Sequence, residues 1–144
     1  MISARLDRRQ RVIAQLRDAR PFLLVTLPFR LSSRGNARGH SLAHAKGIAA
    51  QREGTTLKLA VHRARLIEHL DKSAVLAVRA VRVSPQELDV HDNLGMSLKA
   101  VIDGIADALK VTDADPRIEF IPDAQRGAPP SVVVEFYPLP PGAL

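Results

Sequence analysis

Asp89, Asp92, Asp113 and Asp115 are the residues best suited to chemistry, and Lys99 stands between the two pairs. Converging carboxylates without histidine or cysteine partners make a hard oxygen site, which suits magnesium, with manganese as the substitute. Such a site can activate a water, bind a phosphate and neutralise charge on a leaving oxygen. An ammonium nearby, here Lys99, can stabilise the same developing charge. Whether these groups meet depends on a helix read over residues 93–109. At about 100° per residue, Leu94, Leu98, Val101, Ile102, Ile105 and Leu109 share one apolar face. Asp92, Lys99 and Asp103 then form a polar stripe about 130° from the centre of that face. Asp113 and Asp115 share a turn beyond the helix, so the carboxylates meet only if the chain folds back. The same residues also fit a plainer description. Asp92-Asn93 reads as an N-cap, Lys99 and Asp103 as an i,i+4 pair, and Asp113-Ala114-Asp115-Pro116 as a turn.

The elements that must carry this site read as one α+β domain spanning residues 1–144. Residues 2–19 form an amphipathic helix with Ile2, Leu6, Ile13 and Leu16 near one face. Its expected role is to cover the sheet with its arginines turned to solvent, and residues 1–20 are an N-terminal extension to the domain. Strand formers over 21–29 and 74–83 give two strands, the second with Arg79 and Arg82 interrupting its alternation. Between them lie a Ser/Gly/Asn loop over 30–38 and a helical stretch over 41–70, with Gly54-Thr55-Thr56 as the expected break. Two more strands are expected over 117–121 and 131–137, followed by a loose tail over 138–144. The result is a mixed sheet of about four strands packed by two long helices plus the N-terminal one.

Charge is divided along the chain. Residues 1–70 carry fourteen Lys/Arg against four Asp/Glu, whereas residues 71–144 carry seven against eleven. A basic half suits a polyanion through counterion release. The acidic half is out of place in a simple DNA binder unless its carboxylates hold a cation that faces the phosphates. The absence of cysteine excludes zinc–thiolate clusters, thiol nucleophiles and redox chemistry. No apolar run approaches a membrane span, and the arginine-rich start does not read as a secretory signal. A cytoplasmic protein of a bacterial cell or phage-infected host is expected. Aromatic residues are only 3% of the chain, which argues against a base-stacking single-strand binder.

The segment Asp92-Asn93-Leu94, Leu98-Lys99, Asp103-Gly104-Ile105-Ala106-Asp107, then Asp113 and Asp115-Pro116-Arg117-Ile118-Glu119, resembles the central motif of RusA-like Holliday junction resolvases. Upstream, Asn36-Ala37-Arg38-Gly39-His40, Lys46 and Gln51-Arg52 resemble that family's DNA-contacting stretch. Together the two cover roughly residues 22–137. The resemblance implies a homodimeric, magnesium-dependent endonuclease that cuts branched double-stranded DNA during recombination and repair. By position it implies catalytic roles for Asp92, Lys99 and Asp113, and metal ligation by Asp92 and Asp113 with Asp89 or Asp115 completing the shell. It also implies DNA contacts from Arg34, Asn36, Arg38, His40, Lys46 and Arg52. Val90 stands where the family's first aspartate belongs. Asp89 is one step away, which on a strand is the opposite face unless a bulge intervenes. Two other functions compete with the nuclease: a non-catalytic junction-binding protein of the same fold, and a scaffold whose basic half binds acidic partner proteins.

Overall fold

The strand over residues 75–84 organises the molecule because it is apolar on both faces and buried on both. The computed structural model describes residues 2–31, 41–86, 94–140 and 142, with side chains from residue 7 onward except 41–45. Its elements run α1 (Ile2–Leu16), β1 (Leu23–Leu27), α2 (Ser41–Ala60), α3 (Arg63–Lys72), β2 (Val75–Ser84), α4 (Leu94–Ser97), α5 (Lys99–Leu109), β3 (Ile118–Arg126) and β4 (Ser131–Leu139). The fold is α+β, with one four-stranded mixed sheet in the order β1-β4-β2-β3. β4 runs antiparallel to both β1 and β2, and β3 runs parallel to β2. No helix among the described residues is long and apolar enough to cross a membrane.

Alternation along β2 divides the interior. Leu76, Val78 and Ala80 face the main core with Val132, Val134 and Phe136 of β4, against Leu59, Leu66, Leu98, Val101 and Ile105 from the helices. Val75 and Ala77 face the other way and join Ile121, Tyr137, Leu139 and Val12 of α1. The two arginines of β2 fall on opposite faces. Arg79 lies on the α1 side, paired with Asp123 and Glu135 from the flanking strands. Arg82 points to the helix side, only 6% exposed, and donates to the Leu31 carbonyl.

Four expectations need correction. α2 runs straight through Gly54-Thr55-Thr56, and the break falls at Val61-His62. The threonine hydroxyls turn back onto carbonyls one turn earlier, Thr55 to Gln51 and Thr56 to Arg52, which leaves the helical ladder intact. The helix over 93–109 is divided at Leu98, although the Leu98 and Ile102 amides still bond the carbonyls of Leu94 and Leu98. Its apolar face is as expected: Leu98, Val101, Ile105 and Leu109 are buried, with Leu94 and Ile102 packed alongside. β3 extends to Arg126 and β4 to Leu139, because β2 offers both a partner register along its whole length. Leu139 is therefore only 4% exposed and not part of a loose tail. On α1 the buried anchor is Val12 at 0% exposed, with Leu16 packed against the same cluster as expected, while Ile13 is 40% exposed and off the seam.

Gly104 sets the distance between α2 and α5. A Cβ there would lie 2.5 Å from the Arg52 backbone oxygen and 2.7 Å from the Thr55 Cβ. The bare backbone lets the helices touch, and the Thr56 hydroxyl donates to the Gly104 carbonyl at 2.9 Å. Gly104→Ala forces backbone away from backbone and is expected to destabilise by about 1–3 kcal/mol. Gly47→Ala, which meets nothing within 4 Å on the same α2, is expected to stabilise by about 0.5–1 kcal/mol through helix propensity. Thermal melts of the two variants check this; a Gly104→Ala protein as stable as the parent contradicts the close approach.

Candidate functional site

α5 is pinned to α2 and the sheet by its apolar face, so its polar stripe is turned outward. The helix ends at Lys110, whose backbone takes the left-handed conformation at φ 56°. Its amide bonds the Asp107 carbonyl, and the next amide reaches back to Ala106. This reversal sends the chain back along the helix instead of onward. Asp113, four residues past the last residue of α5, thereby reaches Lys99, the first.

There the Lys99 ammonium donates to Asp113 Oδ2 at 2.8 Å and to Asp103 Oδ1 at 3.1 Å. One cation thus joins a carboxylate from the helix and one from beyond its end. The site is open: Lys99 and Asp113 side chains are 58% and 49% exposed, and Asp103 is 22% exposed. The Asp113 carboxyl is held below its ordinary value by the hydrogen bond from Lys99 and then by the charge of that ammonium. Lys99 is raised by its hydrogen bonds to Asp113 and Asp103.

A second cation continues the row. Arg52 Nε and one terminal nitrogen grip both oxygens of Asp107 at 2.6 and 2.9 Å, and its other terminal nitrogen lies 3.9 Å from Asp103. The hydrogen bond to Asp107, then the charge on Asp107, raises Arg52. Arg52, expected as a DNA contact, clamps α2 to α5 with its side chain half exposed. Lys46, expected in the same role, is exposed on α2.

Asp115, expected to ligate a metal, has both oxygens engaged by Arg117. Oδ1 accepts from its backbone amide at 2.9 Å and its Nε at 3.1 Å, and Oδ2 from its terminal nitrogen at 2.9 Å. These bonds from Arg117 hold the Asp115 carboxyl below its usual range and make it the brace of the turn. Asp103, which sequence reasoning placed on the polar stripe but not among the ligands, occupies the position beside Asp113 instead. Its spacing from Lys99 was the available signal. Asp89 and Asp92, and Arg34, Asn36, Arg38 and His40, lie outside the described residues. Among the described residues no three acidic or histidine side chains form a metal-holding group.

Beside the Lys99–Asp113 pair lies a cleft of about 620 Å³ between α1, α5 and the turn before β3, floored by Ile102, Ile118 and Phe120. Arg8 and Arg9 of α1 line it with Lys99 and Asp113. Arg8 donates to the Pro116 carbonyl, and Arg9 to Glu119 at 3.4 Å and to the Phe120 carbonyl at 3.1 Å. The expectation that the arginines of the first helix all face solvent thus holds for Arg11, and for Arg17 just past the end of α1, but not for Arg8 and Arg9. Comparison with family models, with curated proteins and with solved structures gave no match to this chain.

The Lys99–Asp113 pair has a pH signature. Asp113 favours its charged form in the folded protein, so the pair's contribution is complete above the ordinary carboxylate range and is lost as pH falls through the lowered value. Lys99 acts with the opposite sign: its contribution is complete below the ordinary amine range and is lost as pH rises through the raised value. Carboxyl-carbon NMR titration is expected to give Asp113 a midpoint below about 3.9, the unperturbed aspartate value, returning toward it in Lys99→Met. Both groups are exposed, so the melting temperature of that variant should hardly move. An Asp113 midpoint that ignores the lysine rules the pairing out.

Proposed function

We propose that this protein is a magnesium-dependent endonuclease acting on branched double-stranded DNA, of the RusA-like kind, in recombination and repair. The observation that carries the reading is the meeting of Asp113 with Lys99: the carboxylate beyond the end of α5 and one a turn into it, Asp103, share the exposed cation at its start. The sequence motif asks for Asp113 to meet Lys99 and Asp92, and the Lys99 part of that meeting is what supports the reading; caps and turns that serve stability alone do not require it.

The donor chemistry fits a hard cation. Asp103 and Asp113 offer carboxylate oxygens, and among the described residues no histidine or sulfur lines the cleft beside them; magnesium is commonly held by one or two carboxylates with water and substrate phosphate completing its shell. Asp113, with Asp103 beside it and Asp92 from the preceding segment, would hold the ion. When bound, it supplies an activated water and neutralises charge on the scissile phosphate. The chain's own groups do the rest. Lys99, freed from one carboxylate, faces the oxygen that leaves phosphorus as the P–O ester bond breaks and the water oxygen bonds in its place. The side chain's reach and charge suit it to stabilise that oxygen until it takes up a proton. Arg52 keeps α2 and α5 in register while this happens, and the homodimer implied by the resemblance would present two such sites to the two halves of a junction.

A second reading, a junction-binding protein without turnover, draws on Val90 in place of the family's first aspartate and on a lysine already held between two carboxylates. One experiment separates the two. Synthetic four-way junctions incubated with the protein and magnesium should be cut, and both Asp113→Asn and Asp92→Asn should reduce cutting at least about 100-fold, near 2.7 kcal/mol of transition-state stabilisation, while leaving DNA binding in place. Junctions bound but intact with every divalent metal favour the second reading. Failure to bind DNA at any salt concentration removes both and leaves the scaffold function.

A further inference from the structure

The geometry points to Arg8 of α1 as a phosphate-binding residue in the cleft beside Lys99 and Asp113, gripping a backbone phosphate that neighbours the one at the site. This rests on the nuclease reading of the same cleft and assigns α1 a part in substrate binding. Of the cations lining the cleft, Lys99 is paired with Asp103 and Asp113, and Arg9 with Glu119. Arg8 has no carboxylate partner among the described residues; its one hydrogen bond there is to the Pro116 carbonyl. Its Nε is buried without an acceptor. A guanidinium carries five N–H donors in a planar fork, so with one given to the carbonyl and the Nε–H enclosed, the remaining terminal N–H groups are left for an anion.

The placement favours a phosphodiester over a lone anion. Pro116, which Arg8 touches, is three residues from Asp113 on the same turn, so the guanidinium and the carboxylate share one wall of the cleft. Each strand of a duplex carries a negative charge about every 3.4 Å along the axis. A strand with one phosphate at Lys99 and Asp113 that runs toward α1 brings a neighbouring phosphate to this cleft, which the same residues line. Without such an anion Arg8 holds a charge in a partly buried place for the sake of a single carbonyl contact.

The test is DNA binding by the full chain, read as fluorescence anisotropy of a labelled four-way junction across salt concentrations, with calcium replacing magnesium. Arg8→Gln is expected to weaken binding about fivefold and to lower the slope of log affinity against log salt by about one. Arg8→Lys keeps the charge and should retain the slope, while Arg11→Gln, exposed on the same helix, should change neither greatly. Wild-type protein that binds while Arg8→Gln matches it in affinity and slope overturns the inference and leaves the nuclease reading standing. So does an Arg8→Gln defect that Arg8→Lys does not repair and that accompanies a lowered melting temperature, since that describes a packing role. Wild-type protein with no salt-dependent binding overturns the inference and the nuclease reading together.

Discussion

The contact of α5 with α2 at Gly104 is the constraint on which the site depends. Because the two backbones touch there, α5 cannot rotate about its own axis without driving a side chain into Arg52 or Thr55. Its apolar residues are fixed toward the sheet, and Lys99, Asp103 and Asp107 are fixed outward in one row. Thr55, fully buried, fills the gap beside the glycine, and its hydroxyl is satisfied within its own helix. The close contact thus leaves that buried hydroxyl satisfied. The left-handed turn at Lys110 then does the second half of the work by returning Asp113 to the start of the helix.

Little of the molecule's stability comes from the charges so arranged. The pairs of Lys99 and Arg52 are open to solvent, and exposed pairs of this kind contribute little. Stability resides in the apolar layers on the two faces of β2. The core does not lean on the pairing of Asp103 and Asp113 with Lys99. By contrast Arg79, enclosed by Asp123 and Glu135 and partly buried, is held by the sheet on both sides.

Much of this was legible in the sequence where the period was long and the contacts local. The apolar residues at 98, 101, 105 and 109 and the continuous apolar run of β2 fixed their elements and faces. So did the i,i+4 spacing of Lys99 and Asp103. What was not legible depended on distant partners. Gly54-Thr55-Thr56 looks like a break unless α5 is known to lie against it and Phe29 against Gly54. Asp115 looks as available as Asp113 until the turn shows Arg117 folded onto it, two residues away. Ile13 and Val12 are equally plausible anchors for α1, and only the position of Tyr137, Ile121 and Leu139 decides between them.

The charge asymmetry between the halves has a structural share that composition alone conceals. Arg9 from the basic half meets Glu119 from the acidic half, and Arg52 meets Asp107 and Asp103, so part of the segregation closes seams within the fold. Arg9 also covers the Phe120 carbonyl, on the side of β3 with no strand beside it, which protects a sheet edge open to unwanted pairing. The argument from a basic half to a polyanion must therefore be made with the cations left after these seams are closed. Among the described residues, Arg11, Arg17, Arg20, Arg30, Lys46 and Lys58 stand exposed, and Arg8 reaches into the cleft with no carboxylate to answer it. The positive charge that composition assigns to the whole N-terminal half is thus spread over its surface, and the part of it carried by Arg8 of α1 lies next to the carboxylates of the acidic half.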